Sequence, residues 1–232
     1  MQHRHSLTTA LLLGAAGIAS AAPVEQEHKR AVDCAPIHVF GARETTVSAG
    51  FGSSATVVNL ILNAHPGATS EAIDYPAAGG DSYGSSVQTG TANVASQVEA
   101  YVSACPDAKI VMVGYSQGSQ IMQNAFCDGG DTNQGITDTT APISSDVGSH
   151  VAAMIWMGNP RHKPGASYNV GTSTASGFDP ESQECTAYAD IIQSYCDAAD
   201  PYCSNGSDAS VHQGYGTEYG QDALTFVNSK LG

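Results

Sequence analysis

Two short apolar runs constrain the fold of this 232-residue chain more than any other feature. Residues 110–113 read IVMV and residues 151–157 read VAAMIWM, with no polar residue in either run. A strand with one face in water alternates apolar and polar residues, whereas a strand buried on both faces does not. Short apolar runs alternate along the chain with longer stretches that have apolar residues at helical spacing, such as residues 84–105, which precede the first of these two runs. The sequence therefore predicts an α/β fold with helices on both faces of a parallel sheet.

The same periodicity locates the other elements. Strands are predicted at residues 37–40, 73–75, 110–113, 151–157 and 191–195. Helices are predicted at residues 54–64, 84–105, 119–127 and 217–231, and the Gly-, Ser- and Asp-rich segments between them are predicted as loops. No repeat, linker or appended module interrupts this pattern, which indicates one domain.

The N-terminal residues have the pattern of a secretory signal. A short basic start precedes an apolar stretch at residues 7–16, and small residues at 19–21 fit a cleavage site. The following residues are polar and end in Lys29 and Arg30, a dibasic pair typical of a processing site. We therefore expect a signal peptide at residues 1–21, a pro-segment at residues 22–30 and a single domain at residues 31–232 of a secreted, extracellular protein.

Charge and composition exclude two classes of partner. The chain has 8 Lys and Arg against 22 Asp and Glu, a net charge of −14, whereas nucleic-acid binding needs clustered basic side chains. No apolar run reaches the roughly 18 residues that a membrane-spanning helix needs. We therefore expect no nucleic acid, no membrane and a monomer.

The six cysteines predict disulfides, because their number is even and the chain is expected to be secreted. A zinc site is the alternative. However, the chain contains neither a C-x-x-C nor an H-E-x-x-H pattern, so we expect no metal.

The sequence GYSQG at residues 114–118 supplies a candidate nucleophile, Ser116. The string itself is common, but here it follows a buried strand directly and opens a predicted helix. That strand-turn-helix setting is what a nucleophile elbow requires, since the turn exposes the serine hydroxyl beside the helix N-terminus. The alternative is a Gly-rich turn that merely joins a strand to a helix.

A general base and an acid should follow Ser116 in the order Asp or Glu, then His. Three histidines qualify: His150 precedes a strand, His162 lies in a basic segment predicted to be solvated, and His212 lies in a predicted Gly- and Ser-rich loop. Order and context favour His212.

The acid is predicted between residues 196 and 203, where two aspartates lie between two cysteines. Asp197 adjoins the base of this short segment and Asp200 lies within it. A carboxylate that orients an imidazole needs a fixed position, which favours Asp200 modestly.

Four separated segments carry a family resemblance: HVFGARETT at residues 38–46, GYSQG at 114–118, YCDAADPYC at 195–203 and HQGYGTEYG at 212–220. They resemble the fungal acetylxylan esterases of the cutinase-like serine esterase family, and the likeness runs from Cys34 to Gly232. It implies a three-layer αβα sandwich with a central five-stranded parallel sheet, an uncovered active site and no metal or organic cofactor.

The resemblance also implies roles for single residues. It assigns Ser116 as nucleophile, His212 as base, Asp200 as acid, and Thr45 with Gln117 as the oxyanion hole. It implies the disulfides Cys34–Cys105, Cys127–Cys185 and Cys196–Cys203. One departure is Asn159, which stands where the family has an aspartate, and we expect that position to be structural.

The function implied is the hydrolysis of acetyl esters on acetylated xylan through an acyl-enzyme. A cutinase acting on longer acyl chains or polyesters is the closest alternative, although loops rich in Gly, Ser, Thr, Asp and Tyr suit a hydrated polysaccharide better. Tyr202, two residues after Asp200, is a candidate substrate-binding residue that would narrow the acyl site, or else a plain packing residue. A non-catalytic carbohydrate-binding protein is disfavoured because Ser116 and His212 are both present.

One N-x-S/T sequence is present, at Asn205, between the candidate acid and base. In a secreted, polar loop this predicts an N-glycan. The alternative is an unoccupied site, since a neighbouring active site disfavours a bulky glycan.

Overall fold

A computed structural model describes residues 34–232. The expected signal peptide and pro-segment lie outside the described residues. The strands are β1 (Ile37–Ala42), β2 (Thr69–Ala72), β3 (Lys109–Tyr115), β4 (Val151–Met157), β5 (Asn169–Val170) and β6 (Ile192–Tyr195). The helices are α1 (Ala55–Ala64), α2 (Tyr83–Ala104), α3 (Gln117–Phe126), α4 (Ser145–Gly148), α5 (Ala209–Glu218) and α6 (Gly220–Leu231). Along residues 34–232 no helix combines the length and the apolar character that crossing a bilayer requires.

The strands form one parallel sheet in the order β2-β1-β3-β4-β6-β5. Parallel strands place all their carboxyl ends at the same edge of the sheet. The loops after β1, β3, β4 and β6 therefore meet at one edge, where ligands bind in open α/β sheets.

The two faces of the sheet bury different sets of side chains because successive residues of a strand point to opposite sides. On β3, Ile110 and Met112 pack in one core with α2 and α3, and Val111 and Val113 pack in the other with α1 and α6. The side chains of β4 alternate between the two cores in the same way. The unbroken apolar runs thus reflect burial on both faces, and the predicted αβα sandwich is confirmed.

The sheet formed within residues 34–232 has six strands, not the five that were expected. The additional strand, β5, has two residues and lies at the sheet edge beside β6, in a segment predicted to be a loop. The second strand is also displaced from the prediction, since it covers Thr69–Ala72 and not residues 73–75. It is a polar edge strand, whereas the apolar Ile73 and Tyr75 follow it and pack in the core, which explains the wrong assignment.

All six cysteines are paired, in the combinations that the family resemblance implied. The disulfides are Cys34–Cys105, Cys127–Cys185 and Cys196–Cys203. The first two join distant parts of the chain, whereas the last closes a loop with a sequence separation of only 7.

A buried polar network lies against the side of α3. Arg161 approaches Asp131 to 3.2 Å, and Gln120 donates a hydrogen bond of 2.6 Å to Asp179. All four side chains are buried, as is His162. The prediction of a solvated basic segment at 161–163 is therefore wrong for its first two residues, because the charge of Arg161 is matched inside the protein.

We predict that Glu181, buried beside this network, makes the protein less stable as the pH rises. Burial raises its pKa from 4.5 to about 7, although hydrogen bonds from Tyr168 and Gln123 oppose the shift. Between these two pH values the folded chain binds more protons than the unfolded chain, so the free energy of unfolding falls with increasing pH.

The substitution Glu181→Gln removes this titration. The free energy of unfolding should then fall less between pH 4.5 and pH 7 than it does in the wild type, by up to roughly 3 kcal/mol. Chemical denaturation across this pH range measures the difference. Glu99→Gln, at an exposed carboxylate that does not act on Glu181, is the matched control and should keep the wild-type pH dependence. An unchanged pH dependence in Glu181→Gln would contradict the prediction.

Candidate active site

Ser116 stands at the sharp turn between β3 and α3. Its φ is 52° and its ψ is −120°, so a residue with a Cβ occupies a backbone region that favours glycine. The turn is held by the Ser116 N–H, which donates to the Met157 carbonyl at 2.7 Å. This strained strand-to-helix turn has the geometry that a nucleophile elbow requires.

The two glycines of the motif allow α3 to approach the sheet closely. A Cβ on Gly118 would lie 2.3 Å from the Ala42 carbonyl oxygen, and a Cβ on Gly114 would lie 2.6 Å from the Ser119 Cα. Both contacts are with backbone atoms, which cannot move aside easily. Glycine is therefore required on each side of Ser116.

His212 lies on α5 and not in the predicted loop. The glycines at 214 and 216 suggested a loop, but Asp208 caps a helix that continues through them. The backbone carbonyl of His212 accepts a hydrogen bond of 2.6 Å from the Tyr115 hydroxyl. A Cβ on Gly158 would lie 2.7 Å from the His212 ring, so this glycine leaves room for the imidazole.

Asp200 is fully buried and its carboxylate has four hydrogen-bond donors. One oxygen accepts from His212 Nδ1 at 2.7 Å and from the Tyr215 hydroxyl at 2.8 Å. The other accepts from the N–H groups of Tyr202 and Cys203, at 2.6 and 3.1 Å. Burial raises the pKa of Asp200, but the His212 bond and charge and the backbone bonds lower it by more. Asp200 is therefore held ionised beside the imidazole.

Asp197, the alternative acid, binds other partners. Its carboxylate accepts hydrogen bonds from Thr172 and from the Tyr219 hydroxyl at 3.0 Å. Tyr215, which sequence reasoning missed, connects the two aspartates, because its oxygen also accepts the N–H of Asp197 at 2.9 Å. The sequence carried no signal for this contact, because the segment around His212 was predicted to be a loop and only the helix α5 brings Tyr215 to Asp200.

The two candidate oxyanion-hole residues differ in which of their groups can reach the cleft. The Gln117 side chain is buried, where it donates to the Ala78 carbonyl and accepts from Ser86, so only its backbone N–H is left for the site. Thr45 lines the cleft in the loop after β1. The next residue, Thr46, has a φ of 63° and donates its N–H to the carbonyl of Ala77, whose φ is 51°. These two strained residues clamp the loop that carries Thr45.

A cleft of about 630 Å³ contains Ser116 and His212. Tyr202 also lines it, with its ring centroid 4.5 Å from that of His212. The predicted glycosylation residue, Asn205, is exposed between Asp200 and His212 in sequence.

The other histidines that follow Ser116 do not line this cleft. His162 is buried, and burial lowers its pKa. Asn159 is buried as well, and it donates to Gln123 at 2.6 Å and accepts the N–H of Arg161. Within the described residues no group of three or more His, Cys, Asp or Glu side chains is placed to hold a metal ion.

A family profile described as Cutinase matches residues 33–231. The chain belongs to the cutinase family. It is 53% identical over 240 residues to acetylxylan esterase 2 of Talaromyces purpureogenus, with all of both chains covered. It is 54% identical to cutinase 11 of Verticillium dahliae, over 97% of this chain and 77% of that one.

Among solved structures, this cutinase-family chain resembles the catalytic core domain of acetyl xylan esterase from Trichoderma reesei. The TM-score is 0.82 at 56% identity, covering 85% of this chain and all of that one. The family and the relatives together indicate a carboxylic ester hydrolase.

We predict that the esterase activity depends strongly on Asp200 and little on Asp197. Asp200→Asn should lower kcat roughly 10⁴-fold, because an amide cannot hold the imidazole in the required tautomer or stabilise its charged form. Asp197→Asn, the matched control, should stay near the wild type. Steady-state hydrolysis of 4-nitrophenyl acetate measures both, and the reverse ranking would overturn the assignment of the acid.

Proposed function

We propose that this protein is a secreted serine esterase that hydrolyses acetyl esters on xylan, with residues 31–232 as its catalytic domain. The observation that carries the proposal is the arrangement around Asp200. Its carboxylate lies 2.7 Å from His212 Nδ1, and His212 shares one cleft with the strained Ser116. With Nδ1 bound to Asp200, Nε2 is the ring nitrogen left to accept a proton.

In the proposed first step, His212 removes the proton of the Ser116 hydroxyl as its oxygen attacks the acetyl carbonyl carbon. The charged imidazole is stabilised by Asp200, which stays ionised. The backbone N–H of Gln117, at the start of α3, and Thr45 stabilise the negative charge that develops on the carbonyl oxygen. The bond between the carbonyl carbon and the sugar oxygen then breaks, and His212 gives its proton to that oxygen, which leaves as a hydroxyl group.

The second step releases acetate. Water attacks the acetyl-enzyme, His212 accepts a proton from that water, and the proton returns to Ser116 as its ester bond breaks. The atoms balance with one water consumed, so no metal or organic cofactor is required.

The substrate is supported by the relatives named acetylxylan esterase and by the polar side chains that line part of the cleft, which are Thr45, Thr46, Ser53 and Gln213. A cutinase-type activity on longer acyl chains is the second candidate, and the similarity to cutinase 11 favours it. Secretion is supported by the three disulfides, which persist in oxidising compartments.

The proposed function is tested by comparing three substrates: 4-nitrophenyl acetate, a long-chain 4-nitrophenyl ester and acetylated xylan. We expect kcat/KM to be high for the acetyl esters and low for the long chain, and Ser116→Ala to remove both activities by several orders of magnitude. Release of acetate from xylan is measured directly. A preference for the long chain supports the cutinase alternative, and a failure of wild-type enzyme to react with an organophosphate excludes a serine esterase.

We predict that Tyr202 limits the length of the acyl group. Its ring lies against His212, in space that a longer chain would need and acetyl would not. Tyr202→Val should therefore raise kcat/KM for butyrate relative to acetate esters by about 10-fold, the effect expected of pocket size. Tyr202→Phe keeps the ring and serves as control. If Tyr202→Val leaves the ratio unchanged, Tyr202 is a packing residue.

A further inference from the structure

Two large apolar side chains are exposed along residues 34–232, and both line the catalytic cleft. Phe178 is 51% exposed and Tyr202 is 43% exposed. Exposed aromatic groups bordered by polar residues mark places where ligands bind. The contact of Tyr202 with His212 gives a reason for the position of Tyr202 in the cleft. Phe178 has no part in the proposed chemistry and requires its own explanation.

Phe178 is presented on a firmly held backbone. Its N–H donates to the Tyr202 carbonyl at 3.1 Å, and the preceding Gly177 donates to the His162 carbonyl at 2.9 Å. The following Asp179 is buried and accepts 2.6 and 2.8 Å hydrogen bonds from the side chains of Gln120 and Asn133. The exposure of the ring therefore does not arise from a loose loop.

A second aromatic ring supports Phe178 from the side. The Tyr83 ring lies edge-on to it, with centroids 5.7 Å apart and planes inclined by 66°. The Tyr83 hydroxyl donates to Gln120 at 2.6 Å, so this ring is fixed as well. An edge-on neighbour leaves one face of the Phe178 ring available for a flat, apolar partner.

The remainder of the cleft favours an uncharged, hydroxyl-rich ligand. Apart from His212, Glu44 is the one side chain among the lining residues that is an aspartate, glutamate, lysine or arginine, and both of its oxygens already accept hydrogen bonds from Ser53. The net charge of −14 repels anionic polymers. A neutral pyranose has C–H groups on its ring faces and hydroxyls at its edge, which match an aromatic ring in a cleft that is also lined by Thr45 and Thr46.

We propose that Phe178, braced by Tyr83, is a stacking platform for a xylopyranose ring of the polysaccharide from which the acetyl group is removed. This inference rests on the proposed function, and it assigns different roles to the two exposed aromatic residues of the cleft. Tyr202 contacts the His212 ring and limits the acyl group, whereas Phe178 contacts Tyr83 and binds the sugar. Phe178 is thus a specificity-determining residue for the leaving group.

The kinetic test compares an acetylated xylo-oligosaccharide with 4-nitrophenyl acetate, which carries no sugar. In Phe178→Ala the ratio of kcat/KM for the first to that for the second should fall about 10-fold, mainly through KM. Phe178→Trp should restore the ratio. Phe226→Ala, which removes a half-buried aromatic ring from a separate groove, is the matched control and should keep the wild-type ratio. An unchanged ratio in Phe178→Ala, or a shift in the butyrate-to-acetate ratio alone, would overturn the proposal.

Binding without turnover distinguishes a failure of this inference from a failure of the proposed function. Unacetylated xylohexaose is titrated into Ser116→Ala and into Ser116→Ala with Phe178→Ala, and calorimetry gives the affinities. We expect the second substitution to weaken binding about 10-fold. Equal affinities, or no binding to either protein, refute the platform even if acetylated xylan is a substrate. If wild-type enzyme fails to deacetylate xylan, the proposed function fails, and the titration alone decides the role of Phe178.

Discussion

The close approach of α3 to the ends of β1 and β3 is the constraint on which the candidate site depends. Gly118 and Gly114 lie so near backbone atoms that neither position has room for a Cβ. Because the helix begins so close to the strand that precedes it, the chain must reverse within one residue, and Ser116 adopts a positive φ. The same turn places the first N–H groups of α3, which have no acceptor within the helix, beside the serine. The positions of the candidate nucleophile and of the candidate oxyanion donor thus both depend on this one close approach.

The candidate site also requires that the Asp200 carboxylate stay ionised although it is buried. Asp200 has no exposed surface, and its burial is offset by two side-chain donors and two backbone donors. The backbone donors come from the loop closed by Cys196 and Cys203. In the chain-entropy model so short a loop contributes only about 2.5 kcal/mol to stability. The disulfide therefore matters chiefly because it holds the loop in the shape that satisfies Asp200.

Two buried carboxyl groups of the protein have pKa values shifted in opposite directions. Asp200 is held ionised by its partners, whereas burial favours the neutral form of Glu181 at acid pH. The network that contains Asp179 lies between α3 and the segment carrying Phe178, so it connects the helix that follows Ser116 to an aromatic residue lining the cleft.

The sequence by itself determined the layer architecture, because apolar runs such as residues 151–157 show burial on both faces directly. It also located Ser116, since an elbow is a local strand-turn-helix pattern. The order of residues and the family resemblance pointed to Asp200 and His212, but the residues alone favoured Asp200 over Asp197 only modestly. Periodicity missed β5 and displaced β2, because edge strands are short or polar and carry little hydropathy signal.

Only the tertiary structure decided how the side chains meet. It placed His212 on a helix through glycines that locally favour a loop, and it buried Arg161 and His162 in a segment whose composition suggested solvent. It also brought Tyr215 to Asp200, and Tyr83 to Phe178. These outcomes depend on packing between segments far apart in the chain, so local propensity and periodicity contain no information about them.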